Sequence, residues 1–200
     1  MDDQNPLPWV VPGTLLFAVI GVLVSRSLAR RLGTHPFVAW LLVVSVAAVV
    51  FATLAPLYGV FEPSATGPGR CDLSRLSILP IDDLKRQFSR FLNVILFIPL
   101  GLSIGLLPRS RWKALLVLAA IASPFVIEGT QLLVPALNRG CQGIDVIDNL
   151  TGLVIGLAMG AIGGVLYQRL AAGGDGATRK QSADLEAGDV LPDDRDVPTA

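Results

Sequence analysis

The sequence predicts an all-α protein, a polytopic membrane bundle of about five transmembrane helices with its N-terminus outside and its C-terminus inside. The first observation is composition: of 200 residues, 52% are hydrophobic and only 16% are charged. The apolar residues fall in long blocks rather than in the stripes typical of soluble helices or strands. The second observation is block length, because a bilayer core of about 30 Å requires about 20 apolar residues per helix. We therefore expect a multi-pass protein of the cell membrane, with the lipid bilayer as its first partner.

Five apolar blocks are long enough to be spans. They cover residues 8–28, 37–58, 91–107, 112–134 and 144–167. Aromatic residues, which favour membrane interfaces, stand near their ends. The first block follows the acidic stretch "MDDQNP", whereas a cleaved signal peptide begins with positive charge, so we interpret this block as an anchor. Together the blocks define one helical membrane domain over residues 1–170.

The loops between the blocks predict the orientation. Basic residues cluster after the first block and between the third and fourth, at Arg26, Arg30, Arg31, Arg109, Arg111 and Lys113. Such loops stay in the cytoplasm, which leaves the N-terminus outside and the C-terminus inside. Residues 171–200 contain few large apolar side chains and are rich in Gly, Asp and Ala, so we expect a disordered polar cytoplasmic tail.

The chain has two cysteines, Cys71 and Cys141, and both fall in segments predicted to lie outside. A shared oxidising compartment permits a disulfide, whereas cytosolic thiols stay reduced. We expect a bond between them, which would hold two outer loops over the polar part of the bundle. Two unpaired thiols are the alternative, because sequence spacing does not determine pairing.

Polar residues within the apolar blocks define the candidate site. A charge at bilayer depth costs about 2.5 to 3.5 kcal/mol, so Glu128, which shares a helix face with Gln131, is a functional candidate by default. Further polar residues are expected at the same outward level: Arg90, Asn93, Arg139, Asp145, Asp148 and Asn149.

Small residues predict where the helices touch. The glycines expected at helix contacts are Gly101, Gly152, Gly156, Gly160 and Gly164, the last four at intervals of four residues. A stripe of this kind lets a second helix approach closely, and it turns Asp145 and Asn149 toward the interior of the bundle.

Three stretches carry a family resemblance: "RFLNVILFIPLG" (90–101), "IEGTQ" (127–131) and "NRGCQGIDVIDNLTGLVIG" (138–156). In this order they resemble the signature segments of the VanZ-like family of bacterial integral membrane proteins, over about residues 76–167. The matching positions are Asn93, Phe97, Pro99, Gly101, Glu128, Gln131, Arg139, Asp145, Asn149, Gly152 and Gly156. One position departs from the pattern, because Gln142 stands where many members have an acidic residue. A second carboxylate would then have to come from Asp148.

The resemblance implies a role in the cell envelope, since the founding member is associated with resistance to the glycopeptide teicoplanin. Three classes of function remain open. The site could bind or modify an anionic lipid headgroup or cell-wall precursor, with Glu128 as general acid or base and Arg90 and Arg139 holding the anion. It could belong to a proton-coupled transporter. It could also be a polar network that only holds the bundle together.

Composition argues against other partners. The net charge of zero gives no electrostatic support for nucleic-acid binding. The single histidine, His35, has no cysteine or acidic residue nearby, so we expect no metal site. No Gly-rich phosphate loop is present, and we expect no cofactor. The oligomeric state is left open.

Overall fold

The computed structural model describes residues 9–56, 70–74, 77 and 88–188, with side chains as far as residue 166. Five helices are long and apolar enough to cross a membrane, which confirms the predicted class. They are α1 (Val10–Leu32), α2 (Pro36–Leu54), α3 (Phe88–Gly105), α4 (Arg111–Leu133) and α5 (Gly143–Gly188). The orientation of the bundle across the membrane stays a prediction.

Local capping explains where several helices begin and end. Gly33 ends α1 in the left-handed conformation (φ 66°), with its N–H on the carbonyl of Ala29. His35 caps α2, since its Nδ1 accepts a hydrogen bond from the N–H of Phe37 at 3.2 Å. Ser110 caps α4 in the same way, through the N–H of Lys113. The lone histidine therefore has a structural explanation.

A short loop structure closes one end of the bundle. The strands β1 (Cys71–Asp72) and β2 (Cys141–Gln142) pair in parallel, with Cys71 opposite Cys141. The two cysteines form a disulfide, with their Cα atoms 4.4 Å apart. A 3₁₀ turn, Pro135–Leu137, connects α4 to this loop. The bond therefore holds the segment before α3 against the start of α5.

The glycine stripe brings α3 and α5 into backbone contact. A Cβ added to Gly156 would collide with the carbonyl oxygen of Ile98, and one added to Gly152 with that of Val94. The same holds in the other direction, because a Cβ on Gly101 would meet the carbonyl oxygen of Leu153. Gly105 and Gly160 continue the contact, their Cβ positions meeting each other's Cα. Only residues without a side chain permit this separation.

The stripe ends one turn earlier than its sequence period suggests. A Cβ added to Gly164 would meet nothing within 4 Å, so the helix contact expected there is not made. Periodicity continues along α5, but close packing requires a neighbour at that level. The chain after Gly164 belongs to a second compact unit.

The backbone of α5 is helical as far as Gly188, past the predicted end of the fifth span. The backbone of residues 171–188 is therefore helical, whereas the sequence predicted a disordered tail there. Once a helix exists, each added residue gains a hydrogen bond, so a helix can continue beyond its span without burying apolar surface. Residues 189–200, the rest of the predicted tail, lie outside the described residues.

We predict that Gly156→Ala destabilises the protein, because the new methyl group must push α3 away from α5. Overpacking of this kind costs about 1 to 3 kcal/mol, more than the helix-propensity gain of about 1 kcal/mol. Gly164→Ala is the matched control on the same helix and should leave stability unchanged or slightly raised. Unfolding in detergent, followed by circular dichroism, measures both. Equal stability of the two variants would contradict the contact.

Candidate functional site

A buried ion pair joins α3 to α5. Arg90 donates from Nε to Oδ2 of Asp148 at 2.7 Å and from Nη2 to Oδ1 at 2.8 Å, a bidentate arrangement. Its Nη2 also donates to the carbonyl of Ser77 at 2.6 Å. Arg90 is 8% exposed and Asp148 is fully buried. The Nε and Nη2 groups of this guanidinium therefore bind other groups of the protein.

Glu128 and Gln131 fasten α4 to its neighbours. The buried carboxyl of Glu128 accepts a hydrogen bond at Oε2 from the backbone N–H of Gln142, at 2.6 Å. Gln131 donates from Nε2 to the carbonyl of Thr53 in α2, at 2.9 Å. Gln142 meets Glu128 through its backbone, so this contact does not depend on the side chain at the position that departs from the family pattern.

Arg139 caps the C-terminal end of α2. Its Nη2 donates to the carbonyl of Ala52 at 2.7 Å and its Nε to that of Ala55 at 3.2 Å. A cation is favoured there because the last carbonyls of a helix carry partial negative charge. Burial lowers the pKa of the Arg139 guanidinium, while the carboxyls of Asp145 and Glu128 act in the opposite direction. Arg139 therefore links α2 electrostatically to both carboxyls.

The first turns of α5 supply the remaining polar groups. The side chain of Asn93 is a hydrogen-bond partner of the Asp145 carboxyl, which also feels the charges of Arg90 and Arg139. Asn149, one turn further along α5, is 1% exposed. Its Oδ1 has no hydrogen-bond donor within the described part of the chain. A buried acceptor of this kind requires an explanation.

The structure thus brings the sequence-predicted polar residues to one end of the bundle. Sequence reasoning missed the backbone groups that they bind, namely the carbonyls of Ala52, Thr53, Ala55 and Ser77 and the N–H of Gln142. One signal was available, because the last turn of α2 contains no basic residue and its carbonyls need outside donors.

The charges of this end are nearly balanced, with an excess of acceptors. Two arginines, Arg90 and Arg139, face three carboxyl groups, those of Glu128, Asp145 and Asp148. No set of three or more His, Cys, Asp or Glu suited to a metal ion occurs among residues 9–56, 70–74, 77 and 88–188. The arrangement is suited to a proton or to a ligand that brings hydrogen-bond donors.

We predict that Asp148→Asn lowers the free energy of unfolding by about 3 to 5 kcal/mol, because it leaves Arg90 buried without its carboxylate. Adding Arg90→Gln should recover part of that loss, since the unpaired charge is then removed as well. Denaturant unfolding of the single and double variants gives the coupling energy. Additive losses in the double variant would show that the two side chains do not act as a pair.

A sequence model of the VanZ/LLP1 family matches residues 39–164 of this chain. No curated protein and no solved structure gave a significant match. The matched span contains the three quoted segments and every polar residue of the site, and it begins after α1. Because the match covers well over half of the 200 residues, this chain belongs to the VanZ/LLP1 family.

Proposed function

We propose that this VanZ-family membrane protein binds an anionic headgroup of the cell envelope, that of a lipid or a lipid-linked cell-wall precursor. The binding place is the polar end of the bundle, around Glu128, Arg139, Asp145 and Asn149, which we call the polar site. The proposal includes the predicted orientation, in which this end lies outside. It also includes the link to teicoplanin resistance that the family resemblance implies.

The observation that carries the proposal is the buried Oδ1 of Asn149, which has no donor within the described residues. An unsatisfied buried polar group costs about 1 to 3 kcal/mol, so a ligand hydroxyl or amine that donates to it would be stabilised. Glu128 adds a second acceptor, because the described contacts use only its Oε2. The acceptors of the polar site therefore fit the donor groups of a sugar or glycerol headgroup.

Arg139 is the better candidate for the acidic part of that headgroup. Arg90 forms an ion pair with the carboxylate of Asp148. The described hydrogen bonds of Arg139 go instead to the uncharged carbonyls of Ala52 and Ala55. Arginine N–H groups bind phosphate and carboxylate strongly. In this proposal Glu128 exchanges a proton with the bound headgroup, which is the role of a general acid or base.

The structural alternative has an observation of its own. The contacts of Arg90 with Asp148 and of Gln131 with Thr53 hold helices together without any ligand. If the polar site does no more than this, removing the charge of Glu128 should change stability and function together. The proton-coupled transporter predicts a different result, because transport would be lost while headgroup binding persists.

We predict that Glu128→Gln keeps the fold, since a glutamine oxygen can accept the same N–H of Gln142, but abolishes the function that depends on its carboxyl group. The readouts are retention of a purified lipid-linked peptidoglycan precursor by the detergent-solubilised protein and the teicoplanin susceptibility of cells that express it. Thr130→Val, two residues along α4 at a partly exposed position whose hydroxyl binds only the Val126 carbonyl of its own helix in the described contacts, is the matched control and should behave as wild type. Unchanged retention and susceptibility in Glu128→Gln, at normal abundance, would refute the role of the carboxyl.

We predict that Arg139→Lys impairs precursor retention nearly as much as Arg139→Ala, by about tenfold or more, since one ammonium cannot cap α2 and hold an anion with forked geometry. The lysine variant should keep more of the thermal stability, because it can still donate to one α2 carbonyl. Arg70→Ala, at an exposed arginine of the adjoining loop, controls for a general loss of charge. Full retention in the lysine variant would assign Arg139 to electrostatic balance alone.

A further inference from the structure

We propose a second anion site, at the opposite end of α2, that binds the phosphate of an anionic membrane lipid. An open cavity of about 440 Å³ lies where α1 turns into α2. Its lining residues are Arg26, Ala29, Arg30, Gly33, Thr34 and Pro36. The cavity lies at the N-terminal end of α2 and the polar site at its C-terminal end, so 19 residues of helix, about 28 Å, separate them.

The cavity is positively charged, and α1 and α2, the helices that form it, supply no negative charge to balance it. Arg26 and Arg30 are four residues apart, which places both guanidinium groups on one face of α1. Neither α1 nor α2 contains an aspartate or glutamate. Like charges at this spacing repel each other, and a bound anion would remove that cost.

A second basic loop lies beside the cavity. A Cβ on Gly33 would stand 3.7 Å from Cγ of Pro108, which precedes Arg109 in the loop between α3 and α4. The guanidinium of Arg111 lies 5.4 Å from the ring centre of Trp112, outside the cavity lining. Lys113 directs its ammonium to the carbonyls of Gly105 and Leu107. Arg26 and Arg30 therefore line this cavity, whereas Arg111 and Lys113 do not.

The lining also indicates which phosphate compound fits. Thr34 adds a hydroxyl beside the two arginines, while Ala29 and Pro36 give the cavity an apolar side. The ends of membrane-spanning helices lie at the headgroup level of the bilayer, and basic pockets there attract anionic lipids. A phosphodiester with an attached glycerol and acyl chain matches this surface better than free phosphate, which would leave the apolar side uncovered.

The cavity is independent of the proposed function. All six lining residues precede residue 39, where the family match begins, and none contributes to the polar site. Loss of lipid binding here should leave precursor retention at the polar site intact, so the two proposals can fail separately.

The test is lipid competition on the full-length protein in detergent, followed by native mass spectrometry. Equimolar phosphatidylglycerol and phosphatidylcholine are added, and the retained molecules of each are counted. Wild type should retain more phosphatidylglycerol than phosphatidylcholine. In the double variant R26Q/R30Q the ratio of the two retained lipids should fall about tenfold. The charge-matched control R109Q/R111Q should keep the wild-type ratio, and R26K/R30K, which retains both positive charges, should keep most of it.

Three results would overturn the proposal. Equal retention of both lipids by wild type would show that charge does not select the headgroup. Equal loss in R26Q/R30Q and R109Q/R111Q would show a diffuse surface effect rather than a cavity. A third arm adds glycerol 1-phosphate as competitor: displacement of phosphatidylglycerol at concentrations at which the free lipid itself competes would assign the cavity to a soluble phosphate instead.

Discussion

An arginine and an aspartate can form a forked pair in an apolar interior only if the two backbones that carry them are held close together. The glycines of α3 and α5 provide that proximity, since Gly156 leaves no room for a side chain against Ile98. Asp148 lies one turn before Gly152, at the end of the same contact, so the pair with Arg90 forms where the stripe begins. Without this contact, Asp148 would be a buried charge with no partner to offset its desolvation.

The second constraint is the free end of α2. Its last carbonyls have no partner within the helix, and they receive hydrogen bonds from Gln131 of α4 and Arg139 of the following loop. This attachment positions α4 and the loop relative to α2, and Glu128 then fixes the loop through the N–H of Gln142. The disulfide between Cys71 and Cys141 ties the same loop to the segment before α3. Gln131, Arg139 and Glu128 therefore each have a structural partner. A ligand would use the hydrogen-bonding groups that these contacts do not occupy.

The length and composition of the apolar blocks predicted the five helices, and residue spacing placed Arg90, Glu128 and Asp145 at one end of the bundle. The partners of these residues were not predictable in the same way. Arg139 binds carbonyl oxygens of α2, and backbone acceptors have no sequence signature apart from the missing cap of that helix. Gly164 has the same spacing as Gly160, yet only Gly160 meets a neighbour. Sequence periodicity shows which face of a helix carries small residues. Whether that face makes a contact depends on where the neighbouring helix ends.

The two ends of α2 differ in their electrostatics in a way that suits a protein exposed to two different surroundings. Near its C-terminal end, three carboxyl groups face two arginines, and the described hydrogen bonds leave acceptors over. Near its N-terminal end, Arg26 and Arg30 line a cavity on helices that contain no acidic residue. The predicted orientation was itself inferred from Arg26, Arg30 and the neighbouring basic loop, because positive charge favours the cytoplasmic surface with its anionic lipids. In that orientation the proposed lipid site would lie at the inner surface of the membrane, and the proposed headgroup site would lie at the outer surface.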